Sequence, residues 1–177
     1  MKRNSRSVRR FSRGGKDYIW CTTRVDQVVL DDELVSISTL LSPSDWEAST
    51  TGFDRGTLVS IRGWLSTQQG AAGTTNDATL MAMYVVKNSS AAASTFSPLL
   101  AASYDNSDVL WSSGLMVTGT PIRDNSRMAI STQQIDIKSK RKVSSGDVIQ
   151  LVSAMDIDTA SPTMFVGGFL RCLVQRA

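Results

Sequence analysis

In GTLVSIRGWLST (56–67), Val59, Ile61 and Leu65 fall on one face of an extended chain, and Ser60, Arg62 and Trp64 on the other. A period of two over so long a run is incompatible with an amphipathic helix, whose apolar stripe recurs every three to four residues. The same pattern or its buried variant recurs along the chain. DYIWCTTRVDQVVL (17–30) is dominated by β-branched and aromatic residues, and ELVSISTLL (33–41) alternates. ATLMAMYVVK (78–87) is apolar on both faces, which predicts a strand covered on two sides or a strand at a subunit contact. RMAISTQQIDIKSK (127–140) changes face between Ile130 and Ile135, predicting a bulge near Gln133 and Gln134. DVIQLVSAMDI (147–157) and TMFVGGFLRCLVQR (163–176) complete the set.

Helical pattern is confined to loops. Ser42 and Pro43 open SPSDWEAS (42–49), and Ser97 and Pro98 open SPLLAASY (97–104), each as a cap followed by a first-turn proline. The polar run 68–77 reads as a surface loop. Many strands joined by long loops predict an all-β fold, a jelly-roll β-sandwich of two antiparallel sheets. An immunoglobulin-like sandwich competes, but its paired sheet cysteines and central tryptophan are not placed here as that fold requires. An oligonucleotide-binding barrel needs less chain than this.

Charge divides the chain in two. MKRNSRSVRRFSRGGK (1–16) holds Lys2, Arg3, Arg6, Arg9, Arg10, Arg13 and Lys16 and no acidic residue. The other 12 basic residues face all 16 acidic ones, so the remainder carries a formal charge of about −4. Clustered like charges with little apolar surface predict a disordered basic arm over 1–16, ahead of one domain over 17–177. Extended, such an arm reaches roughly 50 Å at about 3.3 Å per residue. A polyanion is the partner this asymmetry implies, and single-stranded nucleic acid the first candidate, with the seven basic residues on phosphates. A transit peptide needs an amphipathic helix, for which Val8 and Phe11 make a thin apolar face; a merely solubilising tail is the plainer alternative. RSVRR also has the composition of a nuclear-localisation signal.

A second basic run, Lys138, Lys140, Arg141 and Lys142, either supplements the arm or forms a solvated turn. Trp20, Trp46, Trp64 and Trp111 are either base-stacking platforms or core and interface anchors. Chemistry is sparse: with no histidine in 177 residues, histidine-based nucleophile systems and histidine metal sites are excluded, and Gly-rich phosphate loops are missing. The reading is a non-enzyme without cofactor or metal. Asp31, Asp32, Glu33, Asp156 and Asp158 have the chemistry of calcium ligands, against the plainer reading of turn and strand-end residues in water. Cys21 and Cys172 match neither a zinc nor a disulfide framework and predict buried reduced thiols in adjacent strands. No apolar run approaches membrane-spanning length.

An Arg-rich arm followed directly by a strand-rich domain of this size resembles the single jelly-roll capsid proteins of small viruses. Within that group, RRFSRGGKDYIWCTTR, LLSPSDWE and FDRGTLVSIRGWLS resemble capsid proteins of small circular single-stranded DNA viruses of the Rep-encoding (CRESS) kind. Satellite plant RNA viruses have similar coats, so the resemblance leaves DNA ahead of RNA without deciding between them. It implies a homo-oligomeric icosahedral shell of on the order of 60 copies, located in the virion, with the arms inside and assembly in the host nucleus compatible. The rival class is a free oligomeric sandwich or barrel that binds single-stranded nucleic acid, and it predicts aromatic residues on an exposed sheet face. A secreted recognition sandwich leaves the arm unexplained.

Overall fold

In the computed structural model the described residues are 6–29, 36–42, 45, 55–69, 79–88, 109–114, 116–118, 130–144, 146–156 and 164–176. They form strands β1 (Arg6–Arg13), β2 (Lys16–Val29), β3 (Ser36–Leu41), β4 (Arg55–Gln69), β5 (Thr79–Asn88), β6 (Val109–Ser112), β7 (Met116–Thr118), β8 (Ile130–Lys138), β9 (Lys142–Ser144), β10 (Val148–Asp156) and β11 (Met164–Arg176). A six-stranded sheet runs β1-β2-β11-β4-β8, with β9 also on β4, and a five-stranded sheet runs β3-β10-β5-β6, with β7 also on β5. Every pairing is antiparallel.

Without β1 and β9, and with β6 and β7 taken as one interrupted strand on β5, the first strand lies beside the last, the second beside the second-last, and so inward. This is a long antiparallel ribbon rolled into two sheets, the jelly-roll order. It is the sandwich that the strand pattern predicts. Between the sheets lie Leu58, Ile61, Leu65, Met81, Met83, Val85, Ile149, Leu151, Leu170 and Cys172, all buried. Cys21 and Cys172 stand directly opposite one another on β2 and β11, buried and unbridged.

Polar links cross this core as well: Thr23 Oγ1 on β2 donates to the Thr39 carbonyl on β3 (3.3 Å), and a larger link centres on Gln27. Gln27 on β2 donates to Ser38 Oγ on β3 (2.9 Å) and to the Leu151 carbonyl on β10 (3.3 Å), and Ser153 Oγ donates to Gln27 Oε1 (2.6 Å). Each group is satisfied by the opposite sheet, so the link fixes how the sheets face one another as well as holding them.

Residues 6–13 depart from the disordered arm expected for 1–16. They form β1, paired in unbroken register with β2 from Arg13↔Lys16 to Arg6↔Thr23. Gly14 and Gly15, at φ +60° and +73°, supply the two left-handed positions that a two-residue hairpin loop needs. Phe11 stacks on Tyr18, ring centroids 5.2 Å apart, and on Trp20 at 6.3 Å. The charges do not oppose this, because Arg9, Arg10 and Arg13 remain exposed on an edge strand. Residues 6–16 therefore fold back along the sheet instead of spanning roughly 50 Å of open space. Lys2 and Arg3 lie outside the described residues.

Two strand details also differ from expectation. The β4–β8 ladder is in register throughout, from Gln68↔Ile130 to Ser60↔Lys138, so there is no bulge at Gln133 and Gln134; Gln133 takes an inward position beside Ile135. The irregularity lies instead between β11 and β4, where the register shifts at Leu173/Val174. It turns Leu58 into the core and leaves Val59 half-buried. At 42–49, Asp45 is helical and its carboxylate accepts from Ser42 N (2.7 Å) and Ser42 Oγ (3.2 Å), consistent with the cap expected there. Of the surface loop expected over 68–77, Gln68 and Gln69 belong instead to β4; its remainder, the expected helix at 97–104, Trp46, Asp31, Asp32, Glu33 and Asp158 lie outside the described residues, as does the side chain of Asp156.

Candidate nucleic-acid interface

Alternation decides which side chains reach the outer surface of the six-stranded sheet. On β2, Ile19, Cys21, Thr23, Val25 and Gln27 point inward, which sends Tyr18, Trp20, Thr22, Arg24, Asp26 and Val28 outward. Register carries this parity to the neighbours. Arg9 lies opposite Trp20 and Phe11 opposite Tyr18, Leu173 and Arg171 lie opposite Trp20 and Thr22, and Arg62 and Asp136 follow on β4 and β8.

This face collects the cations. Arg9, Arg13 and Lys16 come from the hairpin, Arg24 from β2, Arg171 from β11, Arg55 and Arg62 from β4, and Lys138 and Lys142 from β8 and β9. Among the described residues its acidic members are Asp26 and Asp136. Asp136 is occupied by Arg62 at 2.9 Å. The face is thus strongly cationic although residues 17–177 are acidic overall, and flanking cations raise the local concentration of a polyanion.

A groove of about 890 Å³ runs across it, floored by Trp20, Val59 and Leu173 and bordered by Arg62, Lys138 and Lys140. Backbone bonds from Ser139 N to the Val59 carbonyl (3.0 Å) and from Leu58 N to the Arg141 carbonyl (2.8 Å) clamp the β8–β9 connection to β4, which places the lysines at the rim. The guanidinium of Arg171 sits 5.3 Å from the Trp20 ring centroid and bonds Thr22 Oγ1 at 3.3 Å. Towards the edge the aromatic row continues through Phe11 and Tyr18.

The structure therefore brings Arg9, Arg13 and Lys16 onto one surface with Lys138, Lys140 and Lys142 of the second basic run. Arg10, opposite inward-facing Ile19, takes the other side of β1; Arg141 is half-buried; Arg6 is placed only by its backbone. Trp20 belongs to the groove, whereas Trp111 packs against the core. Sequence reasoning missed Arg171, Arg62 and Leu173 as members of the site. Their outward parity was legible, but which strands would lie beside Trp20 was not.

A second part of the same face is apolar. Val28, Trp64, Phe165 and Phe169 are between 40% and 46% exposed, and Trp64 and Phe169 meet edge to face with centroids 5.5 Å apart. Single exposed apolar residues are ordinary, but four large ones on one sheet face, two of them in ring contact, mark an interaction surface.

The chain matches no protein-family model and no curated protein. Among solved structures it is similar to a chain in the structure of infectious bursal disease virus Gx strain, with 10% identity, 88% of this chain and 32% of that one covered, and a TM-score of 0.36. A second similar chain, in the crystal structure of the infectious bursal disease virus VP2 subviral particle, has 8% identity, coverage of 84% and 33%, and a TM-score of 0.33. This chain spans about a third of the length of either.

Proposed function

We propose that this chain is a viral capsid protein, a jelly-roll subunit that self-assembles into a closed icosahedral shell and packages a single-stranded genome through its basic N-terminal segment. The observation that carries the reading is the jelly-roll strand order joined to a charge distribution in which the N-terminal cations continue onto one sheet face. Lys2, Arg3, Arg6, Arg9, Arg10, Arg13 and Lys16 supply phosphate neutralisation without base reading. The exposed set Val28, Trp64, Phe165 and Phe169 supplies apolar area that neighbouring subunits bury. The role is structural and non-enzymatic, the shell holds on the order of 60 copies by closed symmetry, the cargo is DNA ahead of RNA, and the location is the virion, with assembly in the host nucleus.

A second reading, a free single-strand-binding sandwich, is favoured by one observation: aromatic residues do stand on an exposed sheet face. Negative-stain microscopy of the purified chain, with the nucleic-acid absorbance of the same fraction, separates the two. Uniform spheres are the outcome expected for the capsid. A monomer or small oligomer at all salt concentrations and pH values overturns it in favour of the free module.

A further inference from the structure

We infer that the Trp20 groove is a base-stacking site for single-stranded nucleic acid, distinct from charge neutralisation by the N-terminal cations. The inference rests on the genome-packaging reading and deepens it. Phe11 is nearly parallel to Tyr18 (11°) and to Trp20 (21°), so these rings form a stepped row on one outer face. The row ends at Trp20 on a groove large enough for nucleobases, with Leu173 as apolar floor. Lys138 and Lys140 stand at its border for phosphates; the Trp20 ring carries Phe11 on one side and the Arg171 guanidinium over it, so a base stacks on Trp20 by taking the place of that guanidinium.

Aromatic platforms beside a cationic track are the chemistry of sequence-tolerant single-strand binding, since every base has a π-face. A duplex keeps its bases stacked on one another and offers this surface only its phosphates. A protein partner would need carboxylates to match the rim and would leave the ring row without a specific use. Arg62 is already held by Asp136, so the cations the groove can offer a phosphate are the two lysines.

The test uses the full-length chain with three oligonucleotides of equal length, oligo(dT), oligo(rU) and an abasic strand, across a salt series. Trp20→Leu, which keeps an apolar floor, is expected to weaken oligo(dT) binding about tenfold. The abasic strand should bind wild type and Trp20→Leu equally, and the salt slope should be the same in both. Lys138→Ala with Lys140→Ala should instead reduce the salt slope by about 1.4, at about 0.7 for each phosphate no longer neutralised. Tighter binding of oligo(dT) than of oligo(rU) is expected for a DNA cargo, and the reverse overturns that assignment.

If Trp20→Leu does not fold by circular dichroism, photocrosslinking of iodouracil-substituted oligo(dT) to the wild type decides. A crosslink within β2 is expected, and crosslinks confined to other segments overturn the groove. If the Trp20 and lysine variants bind every strand as wild type does, the groove is not the site and packaging by the N-terminal cations stands alone. Failure of the wild type to bind any of the three strands overturns the groove and the packaging reading together.

Discussion

The two sheets present opposite outer faces. On the five-stranded sheet, the outward residues Ala82, Tyr84, Val86 and Val152 are as buried as the core-facing Met83 and Val85. On the six-stranded sheet, the corresponding positions Trp64, Phe165 and Phe169 are among the most exposed large hydrophobic residues of those described. An apolar outward residue on the first sheet contributes to the fold of a single chain, whereas one on the second contributes only when a partner arrives. The groove and the aromatic set occupy the uncovered face, which is where a protein can meet a strand or a second copy without unfolding part of itself.

The largest effect is expected where the bare face depends on close backbone approach. A Cβ on Gly168 would collide with the Trp64 carbonyl oxygen, and one on Gly63 with the Phe169 carbonyl oxygen, so β11 and β4 cross with no room for a side chain at either glycine. At Gly168 the φ of +149° adds backbone strain for any other residue. Gly168→Ala should destabilise the chain by about 3 kcal/mol, read as a fall in the midpoint of urea unfolding. An unchanged midpoint would show that the sheet opens there at little cost, so that the close approach of β4 and β11 does not hold the uncovered face together.

A pair of truncations tests the comparison directly. Val86→Ala removes buried apolar volume from the covered face and should cost about 2 kcal/mol. Phe165→Ala, at an exposed position, should change the unfolding free energy of the dissociated chain by less than about 0.5 kcal/mol while impairing particle formation. Equal costs for the two in a dissociated chain would erase the distinction between the faces.

Two ion pairs sharpen it further. Lys87–Asp147, at 3.0 Å, is mostly shielded from water, with side chains 24% and 11% exposed, whereas Arg62–Asp136, at 2.9 Å, has side chains 55% and 50% exposed. Burial alone would raise the Asp147 carboxyl, but bonds from Ser144 and the ammonium of Lys87 outweigh it and hold the group below its ordinary value. A depressed carboxyl stabilises the folded chain above its unfolded value of 3.8, and that contribution is lost as pH falls through the lower folded value. Asp147→Asn should therefore cost about 1–2 kcal/mol at neutral pH and flatten the acid limb of the stability profile. Asp136→Asn should cost less than about 0.5 kcal/mol. Calorimetry between neutral and acid pH separates them, and an unaltered acid limb in Asp147→Asn would show that the shielded pair adds nothing to stability.

Period-two alternation by itself determined that the chain is built of strands, and it located most of them, because it is written in consecutive residues and needs no partner. It determined which side chains leave the core of β2, β4 and β11, and it placed Cys21 and Cys172 in buried strand positions. Composition determined that basic charge gathers at the N-terminus. The hairpin was also legible, in the Gly-Gly of RGGK between β1 and β2, but the charge density around it points to disorder and masks the turn signal. Only the tertiary structure decided that Trp20, Leu173, Arg62 and Lys138 share one groove, that Gln27 ties the two sheets, and that Gly63 and Gly168 let β4 and β11 meet. Alternation tells a residue which side of its strand it occupies; strand order and register over a hundred or more residues of separation decide what stands beside it and which face stays open to solvent.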